Sequence, residues 1–398
     1  MGWQLYFVLS AMMFLEFAIW GAWSPVLAAR LLGPLKMSGR QTGWIYGTIP
    51  LACIVSPLIA GQLADRWVAS EQLLGVAHLI GGVLLLVAAR KKTFGGLFVV
   101  MGLYSLCYAA TLPVVNSLMF TQLGQVFKDK AVVSAESGKI FIWAPVAWVI
   151  VGWLLSTWRR LKGTGDGSDC LFFAGFISLV MGAFCFFLPH TPPPGAAGTV
   201  LPIVKAFSML SETNFLIFII ISFVVSAQLQ FYFLGTAQFL GDIGVQSRNV
   251  PAVMTIAQVA QSIATFFALG YLLEKTGFHG TLAIGVLCWL GMYLAYSAMK
   301  PKWFVISSQA LHGLAYVFFI IGGQIFVNSV AGEEIVSSAQ ALLFVVTIGF
   351  GFFFGTRFTG VVMDRFRADG RFRWRPIFLV PCVLTALSVV ALILFFRG

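Results

Sequence analysis

The chain has 398 residues, of which 59% are hydrophobic and 10% are charged, and its mean hydropathy is +0.93. Because charged residues make up about a quarter of a soluble globular protein, this composition excludes that class and predicts a polytopic protein in the lipid bilayer. The net charge of +11 could indicate nucleic acid. The basic residues are spread over short loops, so we expect them to face lipid headgroups and predict no nucleic-acid partner.

Twelve apolar segments are long enough to span a bilayer as helices, which takes about 17–25 residues each. They are residues 4–32, 41–64, 72–90, 94–123, 138–158, 170–188, 213–240, 250–273, 279–299, 303–329, 338–362 and 376–396. Almost no sequence remains for a soluble domain. We therefore predict an all-α membrane protein with twelve transmembrane helices.

The first segment contains Glu16, the one acidic residue that falls well inside an apolar segment. The segment is long and has no basic residue before it, so we expect it to remain attached rather than be cleaved as a signal peptide. A charged side chain at bilayer depth costs about 2.5–3.5 kcal/mol and usually faces the bundle interior or a watery cavity. On a helix, Glu16, Trp20 and Trp23 share one face, which we interpret as a candidate binding site. The alternative is a Glu16 that a neighbouring helix neutralises for packing alone.

Glu16 is also the candidate for proton coupling, since the other titratable groups inside the apolar segments are His78 and His312. A carboxyl group that is alternately buried and exposed can load and release a proton in each cycle. The histidines are weaker candidates, because we expect His78 on a peripheral helix and His312 toward one end of its helix.

The second segment ends in Gly61-Gln62-Leu63-Ala64-Asp65-Arg66, which resembles the signature loop of the major facilitator superfamily. The resemblance implies close helix approach at Gly61 and contacts of Asp65 and Arg66 with neighbouring helix ends. A similar Gly270-to-Lys275 stretch follows at an offset of 209 residues. We therefore expect two six-helix halves in parallel repeat, over residues 1–190 and 213–398, with a linker at 191–212 rich in proline and glycine.

Two signals in the sequence indicate opposite orientations in the membrane. Lys and Arg are concentrated in the loops after the odd-numbered segments, and the positive-inside rule then places the N-terminus outside. The signature loop places the N-terminus inside. We follow the signature, because it is specific to its position and recurs at the repeat offset.

A closer resemblance, to the nucleoside:proton symporter family, runs over nearly the whole chain. The elements that carry it are the Phe14–Trp23 run, Thr111-Leu112 with Asn116-Ser117, Ile142-Trp143, Leu188-Pro189-His190-Thr191-Pro192, Ala227 with Leu229-Gln230, His312-Gly313 with Phe318-Phe319, and Ser338-Ala339-Gln340. The resemblance implies that Gln230 and Gln258 contact the substrate through their amides and that Trp148 and Tyr316 contact it through their rings. Independently, Gln258 and Gln261 are i, i+3 neighbours, and buried amides need partners or a hydrated cavity. The alternative role for these amides is interhelical packing.

The chain departs from that family at several positions. The helix-5 Arg and Thr of the family are replaced here by Phe141 and Pro145, and its helix-7 Asn is replaced by Phe233. The family's membrane-embedded acids on helices 8 and 10 are replaced by Gln261 and Val317. Proton coupling by those acids is therefore excluded. Glu16 stands where the family usually has an amide, which is consistent with a relocated carboxylate.

The sequence thus predicts a secondary active transporter of small neutral polar solutes, nucleosides above all, working by proton symport with alternating access. The alternatives are an uncoupled or differently coupled carrier of another solute such as a sugar, or a transporter-like receptor. A neutral substrate is expected, because no Lys or Arg falls at the midplane of a segment. The cysteines and histidines lack ligand spacing, so we predict no enzyme, metal or cofactor. We expect a monomer in the bacterial cytoplasmic membrane.

Overall fold

The computed structural model describes residues 2–193, 207–331 and 336–397. Within these residues, twelve helices are long and apolar enough to cross a membrane, which confirms the predicted fold class. Five are single helices: α3 (Ser70–Arg90), α4 (Phe94–Val126), α7 (Thr213–Asp242), α9 (Leu269–Ala298) and α12 (Trp374–Phe395).

The other seven are built from consecutive pieces. They are α1 (Trp3–Trp23 and Leu27–Leu32), α2 (Gly39–Tyr46 and Thr48–Arg66), α5 (Lys130–Phe141 and Trp143–Lys162), α6 (Asp169–Phe184 and the 3-10 turn Cys185–Phe187), α8 (Val250–Met254 and Ile256–Phe267), α10 (Lys302–Ser307, Gln309–Ala315, the π-helix Tyr316–Ile321 and Gly322–Val330) and α11 (Val336–Phe344, the π-helix Val345–Gly351 and Phe352–Arg365). A 3-10 turn, Phe207–Ser211, precedes α7. Two short antiparallel strands, β1 (Arg367–Ala368) and β2 (Arg371–Phe372), join α11 to α12.

The boundary between the eighth and ninth helices differs from the prediction. The sequence predicted one segment over 250–273, whereas α8 ends at Phe267 and α9 begins at Leu269. Gly277 interrupts the start of α9 with a φ of 64°. Because no polar residue marks the break after Phe267, the hydropathy pattern could not show it.

Local sequence accounts for several helix starts. Ser38 precedes α2 as a capping box, in which its hydroxyl accepts from the Gln41 N–H and its own N–H donates to the Gln41 side chain. Thr93 caps α4 by accepting from the Gly96 N–H at 3.3 Å. These caps satisfy N–H groups that have no partner inside their helix.

The chain packs as two units. The first contains Met1–Met37, Leu51–Ala197 and Ser247–Ala252, and the second contains Ser38–Pro50, Gly198–Gln246 and Val253–Gly398. The start of α2 thus packs with the second unit and the rest of α2 with the first. For α8 the start packs with the first unit and the rest with the second. The expected halves, 1–190 and 213–398, remain a prediction. Much of the expected linker, residues 194–206, lies outside the described residues.

Candidate functional site

Glu16 lies inside the first unit and has no exposed surface. Its Oε2 is 2.8 Å from Nε2 of His78 on α3, and its Oε1 is 2.7 Å from the Thr111 hydroxyl on α4. The structure therefore surrounds the carboxyl group with protein in place of a watery cavity. The sequence predicted the buried acid but not these two partners.

The network extends to two further side chains. The Tyr108 hydroxyl donates to the backbone oxygen of Glu16 at 2.9 Å. Ser178, on α6, donates to the His78 backbone oxygen at 2.8 Å, and its hydroxyl is 3.5 Å from His78 Nδ1. Four helices, α1, α3, α4 and α6, thereby fix the position of the Glu16–His78 pair.

The two tryptophans predicted on the Glu16 face have different environments. Trp23 is 2% exposed, and its indole N–H donates to the Tyr104 hydroxyl at 3.3 Å. Trp20 is half-buried and makes edge contacts with Tyr108 and Trp148, at centroid distances of 6.0 and 6.1 Å. The helical period places Trp20 and Trp23 about 60° apart, which is enough to separate a core residue from a partly exposed one.

Trp148, on α5, is held against α1 by Gly21. A Cβ atom added at Gly21 would lie 2.9 Å from Trp148 Cγ and 3.2 Å from its Cα. Only glycine allows this approach, because the contact includes backbone as well as side chain. The first unit thus brings together Trp20 and Trp148, two of the predicted substrate contacts, as half-buried aromatic rings.

In the second unit, a direct backbone contact joins α8 to α10. A Cβ atom at Gly313 would overlap the Ala257 oxygen and lie 2.6 Å from the Gln261 nitrogen. This contact places Gln258 and Gln261 beside the part of α10 that contains Tyr316. Gln258 is 9% exposed, whereas Gln261 and Tyr316 are half-buried. Three predicted contacts therefore lie on two helices that meet directly.

Gln230, on α7, is 3% exposed, and its Nε2 has no hydrogen-bond partner among the described residues. Gly355 of α11 packs against its side chain, since an added Cβ atom would lie 2.8 Å from Gln230 Cγ. Gln228 is fully buried, and both of its amide atoms lack partners in the described part of the chain. Buried amides without partners are costly, so water or a ligand is the expected partner. No pattern in the sequence distinguishes Gln228 from other polar residues of α7.

His312 forms an aromatic cluster one helical turn from Tyr316. Its ring stacks on Tyr232 at a centroid distance of 3.8 Å and an angle of 16°. The Trp289 indole N–H donates to its Nδ1 at 3.2 Å. The neutral ring therefore carries its proton on Nε2. An isolated histidine in an apolar segment was the only sequence signal for this cluster.

The signature-loop residues lie at the end of α2. An added Cβ atom at Gly61 would meet no described atom within 4 Å, so the close helix approach expected there is not found in this structure. Arg66 is exposed. The side chain of Asp65 lies outside what the structure describes.

Buried arginines are paired at the ends of the first unit. Arg159 donates to both carboxylate oxygens of Asp169, at 2.6 and 2.7 Å. Arg30, which is 2% exposed, donates to the Ala89 and Lys91 carbonyl oxygens and pairs with Asp166 at 3.4 Å. Partial burial opposes ionisation of Asp166, but hydrogen bonds from Ser168 and the Arg30 charge hold the pKa of this carboxyl below its usual value.

A family model described as "Nucleoside H+ symporter" matches residues 3–398. Among curated relatives, YegT of Escherichia coli (strain K12), named as a candidate nucleoside transporter, is 28% identical over 98% of this chain and 93% of its own length. The nucleoside permease NupG of Escherichia coli (strain K12) is 25% identical over 94% of this chain and 91% of its own length.

Solved structures show the same fold. The crystal structure of the nucleoside transporter NupG matches with a TM-score of 0.87 at 24% identity, covering 99% of each chain. A bacterial homologue of the human lysosomal transporter Spinster matches with a TM-score of 0.78 at 14% identity, covering 98% of this chain and 96% of its own. At these identities, the structural likeness supports the fold alone.

Proposed function

The chain belongs to the nucleoside H+ symporter family, and we propose that the half-buried rings of Trp20 and Trp148 contact its nucleoside and that the amides of Gln230, Gln258 and Gln261 are further contacts. It is a multi-pass transporter of the bacterial cytoplasmic membrane that moves nucleosides with protons, not an enzyme.

The unpaired amide nitrogen of Gln230 is the observation that carries this proposal. A buried N–H donor without a partner costs about 1–3 kcal/mol, and a nucleoside bound at Gln230 would supply the missing acceptor. Nucleosides offer such acceptors on the base and the ribose. Gln258 and Gln261, on the helix that Gly313 contacts, supply further amides on the same unit.

Trp20 and Trp148 supply the complementary aromatic surface. Both rings are half-buried, and each keeps exposed area while packing edge-on against the other. A nucleobase has a flat π face, and its stacking on an aromatic side chain contributes about 1–3 kcal/mol. A sugar lacks a base to stack, so this pair favours a nucleoside.

The described buried arginines support a neutral substrate. Arg159 is neutralised by Asp169, and Arg30 contacts two carbonyl oxygens and Asp166 through Nη2, while its Nε and Nη1 have no partner among the described residues. Arg357 is stacked over the Trp44 ring at 3.8 Å. A phosphate or carboxylate in the membrane would compete with these partners for a cation and would otherwise be costly to desolvate.

Glu16 is our candidate for the proton-binding group. The positions of the family's membrane acids hold Gln261 and Val317, which cannot titrate. Glu16 is fully buried in the first unit, where a change of charge would be costly unless it were linked to a conformational step.

Uptake into proteoliposomes tests this function directly. Purified protein is reconstituted and given radiolabelled uridine, adenosine, a free base and a sugar under an inward proton gradient, with and without an uncoupler. We expect accumulation of nucleosides above equilibrium that the uncoupler abolishes. Accumulation of the sugar alone, or inhibition by nucleotides as strong as by nucleosides, would contradict the proposal.

We also propose that the protein works in the lipid bilayer as a monomer. The polar groups of the Glu16 network find their partners within one chain. We therefore propose that one chain is sufficient for transport. Light scattering of the detergent-purified protein, combined with uptake at one chain per vesicle, tests this, and a dimer that loses uptake on dilution would contradict it.

A further inference from the structure

The Glu16–His78 pair is enclosed on all sides by the first unit. Glu16 is 0% exposed and His78 is 2% exposed, and 2.8 Å separates Oε2 from Nε2. Among the described residues, no Lys, Arg, Asp or other Glu forms a hydrogen bond or ion pair with either side chain. The charge of the pair must therefore be balanced within the pair itself.

Charge balance fixes the number of protons that the enclosed pair holds. A carboxylate beside a neutral imidazole leaves one buried negative charge, and a carboxylic acid beside an imidazolium leaves one buried positive charge. Only the state with one proton between them is neutral, either as an ion pair or as two neutral groups. Burying an uncompensated charge is much more costly than burying a neutral or paired group, so the enclosed pair holds one proton.

The hydrogen bonds around the pair are compatible with this proton on either side chain. The Thr111 hydroxyl is 2.7 Å from both Glu16 Oε1 and the Tyr108 backbone oxygen, but it has one hydrogen to donate. When it donates to Glu16, the carboxylate is ionised and the imidazolium donates from Nε2. When it donates to Tyr108, a protonated Oε1 of Glu16 donates to Thr111, and neutral His78 still donates from Nε2.

The remaining titratable neighbours leave this balance unchanged. They are Tyr104, Cys107 and Tyr108 on α4, Cys53 on α2 and Cys185 on α6. Tyrosine and cysteine are ordinarily neutral below about pH 8. Ser178, facing Nδ1 of His78 at 3.5 Å, can accept from the imidazolium without carrying charge.

We propose that Glu16 and His78 form one shared proton-binding site, and that its single proton is the proton carried in each transport cycle. This inference rests on the proposed function, because it assigns the coupling step of that function to a pair of residues. The enclosed state forms when the pair holds one proton. Once water reaches the pair, Glu16 can stay ionised beside a neutral His78, and the proton leaves.

Two variants of the pair have different expected effects. Glu16→Gln leaves a neutral amide beside a neutral imidazole, so enclosure needs no proton, and uphill accumulation is lost while counterflow exchange remains. His78→Asn removes one of the two side chains that share the proton, so uncoupler-sensitive accumulation remains but the pH midpoint of uptake differs from that of wild type.

The chain offers a matched control in a second Glu–His contact. Glu71 Oε1 is 2.7 Å from His190 Nδ1, but the His190 side chain is 69% exposed. Glu71 is buried, but water reaches the exposed His190 ring, so the charge of this contact can be solvated without a proton shared inside the pair. His190→Asn should therefore keep uncoupler-sensitive accumulation and the wild-type pH midpoint.

The measurement is uptake and counterflow of radiolabelled uridine in proteoliposomes across a range of external pH, with folded protein quantified by gel filtration. If Glu16→Gln still accumulates uridine in an uncoupler-sensitive way, or His78→Asn keeps the wild-type midpoint, the shared site is refuted while the proposed function stands. If wild type accumulates no nucleoside, the proposed function is refuted. The pair is then judged by infrared spectroscopy of purified protein, in which a titrating buried carboxyl band must be present in wild type and absent in Glu16→Gln.

Discussion

Replacing Trp148 with alanine should weaken nucleoside binding much more than it reduces transport capacity. The ring is half-buried and lies edge-on to Trp20 at 6.1 Å. Removing one stacking partner costs about 1–3 kcal/mol per base. At about 1.4 kcal/mol per decade, the apparent affinity should fall by roughly 5- to 150-fold.

The same change also removes packing, so the assay must separate stability from affinity. Trp148 fills the space beside Gly21, and its loss leaves a cavity against α1. We therefore expect a lower melting temperature as well. Affinity is measured by competition between labelled and unlabelled uridine on protein that has been shown to be folded, which makes it independent of yield.

Trp153 provides the matched control, since it lies on the same helix and is 53% exposed. Its substitution by alanine should leave the affinity within experimental error of wild type. Trp148→Phe, which keeps an aromatic face, should retain part of the affinity. The reasoning is refuted if Trp148→Ala lowers only the folded yield and the surviving protein binds uridine as tightly as wild type.

Three further predictions test the packing, the amide and the charge separately. Gly313→Ala should destabilise the second unit by about 1–3 kcal/mol, because the added methyl group overlaps the Ala257 oxygen. Gly270→Ala is the control in a thermal melt, since the space at that position is open. Equal melting temperatures of the two variants would contradict the contact at Gly313. Gln230→Leu should abolish saturable uridine binding without lowering the melting temperature, since it removes an unpaired buried donor; destabilisation with normal binding would indicate a packing role instead. Asp166→Asn should destabilise the protein at pH 7, because the folded-state pKa of Asp166 is lowered. The ionised carboxylate therefore stabilises the fold above its unfolded pKa of about 4, and this stabilisation is lost as the pH falls through the folded-state pKa. The melting temperatures of variant and wild type should then converge in acid.

Hydropathy was sufficient to predict the twelve helices, because the thickness of the bilayer requires long apolar runs and short polar breaks. It failed at the end of α8, where the break after Phe267 contains no polar residue. Helical periodicity was sufficient to predict that Glu16 and Trp20 lie near each other. It could not show that Trp23 turns into the core to meet Tyr104, because that depends on which helix packs there.

The pairing of Glu16 with His78 lies beyond any local pattern. The two residues are 62 positions apart, and Thr111 is 95 positions from Glu16. The sequence treated His78 as a separate and weaker candidate, since nothing in α3 indicates which helix it faces. Similarly, the backbone contact at Gly313 depends on Ala257, which the sequence does not distinguish from other small residues in α8.

Helices α2 and α8 each have one end in one packing unit and the remainder in the other. The first piece of α2 meets α11 backbone to backbone, since a Cβ atom added at Gly43 would overlap the Thr356 oxygen. Any side chain at Gly43 would therefore push these two helices apart, so the first piece of α2 depends on a glycine for its place in the second unit.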